Sequence, residues 1–356
     1  MLFLVLLFVV AALLTFQYTR WVQRNSYSKR IPSVEPIVPI LGHIPMLCGI
    51  NTQEIFEFFV KSFQQIDRMG KIMLGPVPMV MVNHPDLMEK VLTNGDMYNK
   101  PFLYDFFELG VGLITERKQD EFHSKLLIFL DQVLTIRKGE ENTGFTDREI
   151  LDHLLTIMGA GQDTSAYAVA YTLLLLAMNP KIQEKVVEEI DSVFTSNSME
   201  VTVDTLQQLK YTEQVIKESL RLLPVAPILG RETSKEIELD GVRIPPNQMI
   251  MYNLYALHRR PDVWGPDPER FDPDRFGPEA VTNRHPFAYL PFSGGLRNCI
   301  GWRYALNSMR IILLRILQNY ELKTDLRQSE MRFKFEITMK LIGPHRVWLT
   351  KRPKRS

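Results

Sequence analysis

The chain has 356 residues, 45% of them apolar, which is enough for a substantial core in one large domain or two average ones. Its 42 basic and 41 acidic residues leave a formal net charge of +1, so nothing in the charge balance points to nucleic acid. Two cysteines, Cys48 and Cys299, argue against a disulfide-stapled secreted scaffold.

Leu2 to Leu14 is unbroken apolar sequence, and Phe16 and Tyr18 extend it to about the 20 residues that a membrane span requires. Arg20, Arg24, Lys29 and Arg30 follow, a bias that would hold the C-terminal side in the cytosol with Tyr18 and Trp21 at the interface. A cleaved signal peptide is the alternative, but the charges lie after the apolar run and no clear small-x-small site precedes them. The expected layout is a transmembrane anchor over 1–19, a basic and proline-rich linker over 20–45, and one domain over 46–356. The four prolines of Ile31 to Pro45 suit a stiff, extended connector, with an ordinary loop as the alternative.

Lys71 to Val82 reads as a hairpin about Gly75-Pro76, and His84-Pro85 opens a helix. A capping box at Thr146 and Glu149 starts a helical pattern that runs to Met178, where Asn179-Pro180 stops it and begins the next helix. The pattern is apolar on nearly all sides yet interrupted by Gly159, Gly161, Gln162 and Asp163, which predicts a buried central helix rather than a second membrane span. A further helix is expected from about Thr205 to Leu223. Lys235 to Tyr252 reads as two tight strands about Asp240-Gly241, with another turn at Pro245-Pro246-Asn247. Residues 264–291 are crowded with Pro and Asp and read as irregular chain. Two final strand-like runs, Arg332 to Leu341 and His345 to Leu349, flank Gly343-Pro344. The predicted fold class is mainly α with small β-sheets and no internal repeat.

The most informative segment is Pro291 to Gly301, PFSGGLRNCIG. A cysteine binds metal as the thiolate, so its surroundings must favour negative sulfur. Gly295 and Gly301 permit close backbone turns, Arg297 adds positive charge, and an amphipathic run from Trp302 (Ala305, Met309, Ile312, Leu313, Ile316, Leu317) sets Cys299 just before a helix N-terminus. A cysteine without such a frame reads as a small buried hydrophobe, and Cys48 keeps that reading.

Phe292, Gly295, Arg297, Cys299 and Gly301 fill every fixed place of FxxGxRxCxG, and the chain thereby resembles the cytochrome P-450 family, haem-thiolate monooxygenases. The resemblance implies the cytochrome P-450 fold, with Cys299 as the axial ligand of a haem b iron and with electron density pushed toward iron for O–O cleavage. It also gives roles to pieces that are ambiguous alone. Glu218 and Arg221, three apart on a helix, would by themselves read as surface charges; in the family this pair locks to an Arg of a P-x-R-F segment. Pro273 to Phe276 supplies Arg275 at that place, with Pro268 to Phe271 as a rival. Ala160 to Ser165 resembles the oxygen-activating stretch, where Gly161 leaves room beside iron and Asp163 and Thr164 relay protons; the alternative is a Gly-weakened helix with a stray buried Asp. Arg231 and Arg297 match positions that bind haem propionates, although each could instead be an exposed cation.

Segments such as DPERFDPDRFGPE resemble the fatty-acid omega-hydroxylase branch and its invertebrate relatives. Where many of that branch carry a Glu that esterifies haem, this chain has Ala160, so a noncovalent haem is expected. The larger departure follows Thr115: no Trp lies between Trp21 and Trp264, and GLIT (112–115) leads directly into ERKQDEFHSKLLIFLDQVL. By the usual length of the family, more than roughly a hundred residues are missing there, near 115–120. The resemblance implies an apolar small-molecule substrate (fatty acid, steroid or xenobiotic), NADPH-cytochrome reductase or a cytochrome b-type donor as partner, and placement on the endoplasmic reticulum membrane facing the cytosol. A peroxide-dependent or isomerising enzyme is a second enzymatic reading, and a non-catalytic or impaired haem-binding membrane protein is a third.

Overall fold

The structure is a computed structural model that describes residues 15, 16, 19, 25–101, 146–194, 201–343 and 346–353. In chain order the main elements are α1 (Thr52–Gln64), β1 (Met69–Leu74), β2 (Val77–Val82), α2 (Pro85–Thr93), α3 (Asp147–Met178), α4 (Pro180–Val193), α5 (Val203–Gln208) and α6 (Lys210–Leu222). They continue with β3 (Ile228–Glu232), β4 (Ile237–Leu239), β5 (Val242–Ile244), β6 (Met249–Asn253), α7 (Leu254–Leu257), α8 (Trp302–Asn319), β7 (Tyr320–Lys323), β8 (Phe333–Glu336), β9 (Thr338–Leu341) and β10 (Trp348–Lys351). Two compact units are present: Met1–Asn99 with Leu220–Cys299 and Ser329–His345, and Lys100–Ser219 with Ile300–Gln328 and Arg346–Ser356.

The first unit is built on a four-stranded sheet in the order β1-β2-β6-β3. The β1–β2 hairpin closes at Gly75, whose φ of +60° is open to glycine. Val80 pairs in parallel with Ile250, and Arg231 lies opposite Ile250 in the antiparallel β3–β6 pair. Successive residues of β2 feed two cores: Met79 and Met81 pack with Phe63 and Ile72, while Val80 and Val82 pack with Leu87, Val91 and Tyr252. Asn51 and Glu54 form the capping box of α1, and His84 Nδ1 caps α2 by accepting from Asp86 N–H. The tight Asp240-Gly241 turn joins β4 to β5, with both residues at positive φ.

The second unit centres on α3, whose 32 residues begin at the expected capping box of Thr146 and Glu149. At 1.5 Å per residue the helix is about 48 Å long. Gln183 on α4 ties down β7 from both sides, donating to Leu322 O at 3.0 Å and accepting from Leu322 N–H at 2.8 Å. The Glu189 carboxylate accepts from the N–H groups of Tyr211 and Thr212 at 2.6 and 2.8 Å, satisfying donors at the start of α6.

Several expectations need correcting. The Thr205–Leu223 helix is two helices, α5 and α6, because Leu209 leaves helical geometry at ψ 69°. The central helix is buried only along part of its length. Ala168, Val169, Tyr171, Thr172 and Leu174 to Ala177 are buried, whereas Leu151, Ile157, Gly161 and Asp163 are exposed. α3 packs against α4, α8 and β7. Arg332 to Leu341, read as one strand-like run, is a hairpin turning at Ile337, and β10 pairs with β7. Ile31 and Val34 are buried, and Ser33 and Gly42 bridge to β1, so the proline-rich stretch lies on the sheet as a loop rather than as a free connector.

On α8 the buried stripe is Met309, Leu313, Leu314 and Leu317 with Arg310, while Ile312 is exposed. Arg310 is buried because its guanidinium donates to Glu213 at 2.6 Å. Cys48, expected to be buried, is exposed just past a single helical turn. Of the expected anchor, only residues 15, 16 and 19 are described, and no described helix is long and apolar enough to cross a membrane. The junction near residue 115 lies outside the described residues.

Candidate functional site

The cysteine segment is a folded loop. Leu290 is buried and its carbonyl accepts from Ser293 N–H at 3.0 Å. Phe292 O accepts from Cys299 N–H at 2.9 Å, closing the loop on itself. Two residues inside it have positive φ: Ser293 at +60° and Gly295 at +70°. Gly295 sits so close to the end of α2 that a Cβ there would lie 1.7 Å from Leu92 O. Ser293 holds its strained conformation with help from a 3.2 Å hydrogen bond between its hydroxyl and Tyr252 OH. Gly301, by contrast, has φ −89°, ψ 6°, a conformation open to any residue, and caps α8, which begins at Trp302. The sequence reading is thus supported for Gly295 and corrected for Gly301, and Ser293 is the strained position that it missed.

Cys299 is a free, exposed thiol at the end of this loop. Arg297 is exposed and lies over the Tyr98 ring at 3.7 Å. Arg231 is only 5% exposed; it donates to Gly230 O at 2.9 Å and lies 5.7 Å from the Tyr252 ring. Among the described residues, no carboxylate stands within ion-pair distance of Arg231. A buried guanidinium is costly without an anion. Its donor set, together with a free thiol in the same unit, therefore fits a group that carries both a thiolate-binding metal and carboxylates.

Behind the loop lies an arginine-aromatic cluster. Arg221, fully buried, donates to His258 O at 2.7 Å and Arg270 O at 3.3 Å, and its guanidinium lies 4.9 Å from the Trp264 ring centre. Arg284 lies over the same ring at 4.1 Å. Arg275 donates to Trp264 O and Asp267 O, so Arg221 and Arg275 meet on one tryptophan. The rival Arg270 has a side chain 64% exposed and pairs with Asp272. Glu218, on α6 one turn before Arg221, is also fully buried, so neither residue of the ESLR motif is a solvated surface charge. Trp264, His258 and Arg284 went unnoticed in the sequence. A lone Trp in a Pro- and Asp-rich stretch was the available signal, since so large a ring seldom stays exposed.

His258 is buried, and its Nε2 accepts from Leu290 N–H at 2.9 Å. Burial, reinforced by the Arg221 charge, pushes its pKa down to about 3. Neutral His258 stabilises the fold fully above the ordinary histidine value, and that contribution is lost as pH falls from about 6.5 toward 3. Urea unfolding at pH 7 and pH 5 should show stability falling by up to about 1.4 kcal/mol per unit from this group. His258→Gln should flatten that slope; an unchanged slope would remove histidine as its source.

The oxygen-side candidates lie on α3. Thr164 Oγ1 donates to Ala160 O at 2.5 Å, Asp163 is exposed, and a Cβ placed on Gly161 would meet no atom of the described residues within 4 Å. Asp163 is thus not the buried Asp of the alternative reading.

The model of the family described as Cytochrome P450 matches residues 32–113 and 102–347. The two stretches meet at 102–113, beside the departure after Thr115. The chain is 40% identical over 210 residues to "Probable cytochrome P450 313a4" of Drosophila melanogaster, covering 58% of this chain and 42% of that protein. It is 36% identical over 256 residues to "Probable cytochrome P450 4aa1" of the same organism, covering 71% and 49%. With "Cytochrome P450 4c3", also from Drosophila melanogaster, identity is 37% over 229 residues, covering 64% and 42%. The chain thus spans less than half the length of these relatives.

Proposed function

Because the chain belongs to the cytochrome P450 family, we propose that it holds a noncovalent haem on Cys299 and inserts one oxygen atom from O2 into an apolar organic substrate. A fatty acid, steroid or xenobiotic is the substrate class. NADPH-cytochrome reductase, or a cytochrome b-type donor, supplies the electrons at the cytosolic face of the endoplasmic reticulum membrane. The observation that carries this reading is the pairing of an exposed Cys299 thiol with a buried Arg231 that has no carboxylate partner among the described residues. When bound, a thiolate-ligated haem supplies oxygen activation.

The chain's own residues do the rest. Arg231 and Arg297 offer guanidinium donors to the haem carboxylates. The clamped loop from Leu290 to Cys299 fixes where the sulfur stands. Ala160 offers no ester link, and Gly161 leaves room on α3, with no atom of the described residues within 4 Å of where a Cβ would stand. The Thr164 hydroxyl gives its hydrogen to Ala160 O and so keeps its oxygen as an acceptor; Asp163, one residue away and exposed, is the carboxylate of the pair. The exposure of Leu151, Ile157 and Asp163 favours a second reading, a haem-binding chain that admits water and turns over poorly.

The test is the carbon monoxide difference spectrum of the reduced, haem-loaded chain. The wild type is expected to give a thiolate-type band and Cys299→Ser none; absence of the band in the wild type would sink both readings. With the band present, oxidation of a fatty acid coupled to NADPH and reductase supports the first reading, and NADPH consumption without product supports the second.

A further inference from the structure

We propose that His258 is a positioning residue for Cys299, joining the Arg221 cluster to the root of the cysteine loop. His258 follows directly on α7, and its own N–H donates to Leu254 O at 2.9 Å, which fixes its backbone. Its carbonyl takes the Arg221 guanidinium at 2.7 Å, and its ring takes Leu290 N–H at 2.9 Å. Leu290 is therefore held on both polar atoms, its N–H by the imidazole and its carbonyl by Ser293 N–H. Nine residues after Leu290 the loop closes through Cys299 N–H to Phe292 O. Each link from Arg221 to the sulfur-bearing residue is thus a hydrogen bond or a short stretch of backbone.

The chemistry of the position calls for an acceptor more than for bulk. To accept from Leu290, the ring must carry its proton on Nδ1, and that atom is buried with no hydrogen-bond partner among the described residues. A buried donor left in that state opposes folding, so an aliphatic side chain would suit the packing better. What histidine adds is the lone pair directed at Leu290. Burial keeps the ring neutral, and protonation would remove that lone pair. The rings of Trp264 and Tyr289, 6.4 and 5.3 Å from the imidazole, hold its plane.

The functional consequence rests on the reading of Cys299 as the iron ligand, but the positioning itself can be tested without haem. His258→Gln sets an amide oxygen near the place of Nε2, whereas His258→Asn is one methylene too short to reach Leu290. Both variants are polar and close in size. Amide hydrogen exchange of the Leu290–Cys299 segment is measured in the full chain, without and with haem. The proposal expects exchange at Leu290 about tenfold faster in the Asn variant and restored in the Gln variant. In the haem-loaded protein the thiolate-type fraction of the carbon monoxide spectrum should fall for Asn and recover for Gln. Equal exchange in the Asn variant and the wild type, or failure of Gln to recover both exchange and spectrum, would overturn it. A wild type with no thiolate-type band would defeat the haem reading while the exchange experiment still decides the role of His258.

Discussion

Gly295→Ala is expected to destabilise the fold by about 3 kcal/mol or more, since the left-handed backbone and the clash each cost roughly 1 to 3 kcal/mol. The added methyl would stand 1.7 Å from Leu92 O and 2.6 Å from its carbonyl carbon, so α2 and the loop would have to separate. Backbone atoms cannot swing aside as the end of a long side chain can. The control is Gly241→Ala: its φ of +75° is similarly left-handed, but no atom of the described residues lies within 4 Å of the new Cβ. That substitution should cost only about 1 to 2 kcal/mol. Urea unfolding of the two variants measures the difference, and equal losses would show that the clash with Leu92 relaxes freely. In the haem-loaded chain, the thiolate-type band should be lost in Gly295→Ala and kept in Gly241→Ala.

Arg221→Ala is expected to cost about 3 to 5 kcal/mol, because charge-assisted hydrogen bonds to the buried carbonyls of His258 and Arg270 disappear together with the stacking on Trp264. Lysine should rescue less than half of that loss. Its ammonium is a point donor on a flexible stem and cannot serve two carbonyls in a plane while lying flat on an indole. Chemical denaturation of the Ala and Lys variants is the measurement. A lysine variant as stable as the wild type would show that charge alone matters at this position and that the fork geometry does not.

The cysteine loop and the long helix were legible because their signals are local. The four fixed residues around Cys299 and the capping box at Thr146 and Glu149 act within a few residues of chain, and the structure reproduces the start and stop of α3. The hairpins at Gly75 and Asp240-Gly241 were legible for the same reason, since turn chemistry is carried by the turn residues themselves. The pairing of β10 with β7 was not legible, because strand partners are chosen by packing far along the chain and no local pattern encodes them. Ile312 and Cys48 were misplaced because periodicity shows which residues are apolar but not how wide a face a neighbouring element covers.

The sequence by itself determined which chemically informative residues stand together in the chain: a cysteine in its FxxGxRxCxG frame, the arginines Arg231 and Arg297, and a helix carrying Asp163 and Thr164. Tertiary structure alone decided which of these groups are buried and what they touch. Glu218 and Arg221 look like a solvated i,i+3 pair, and only burial at 0% exposure makes them structural. The guanidinium of Arg275 reaches the Trp264 carbonyl, while the side chain of Arg270 is largely exposed and pairs with Asp272, a difference that two near-identical P-x-R-F segments do not show in the sequence. The reason is physical: hydrogen-bond strength and the cost of an unpartnered charge depend on distance from water, which is a property of the folded surroundings and not of the residue.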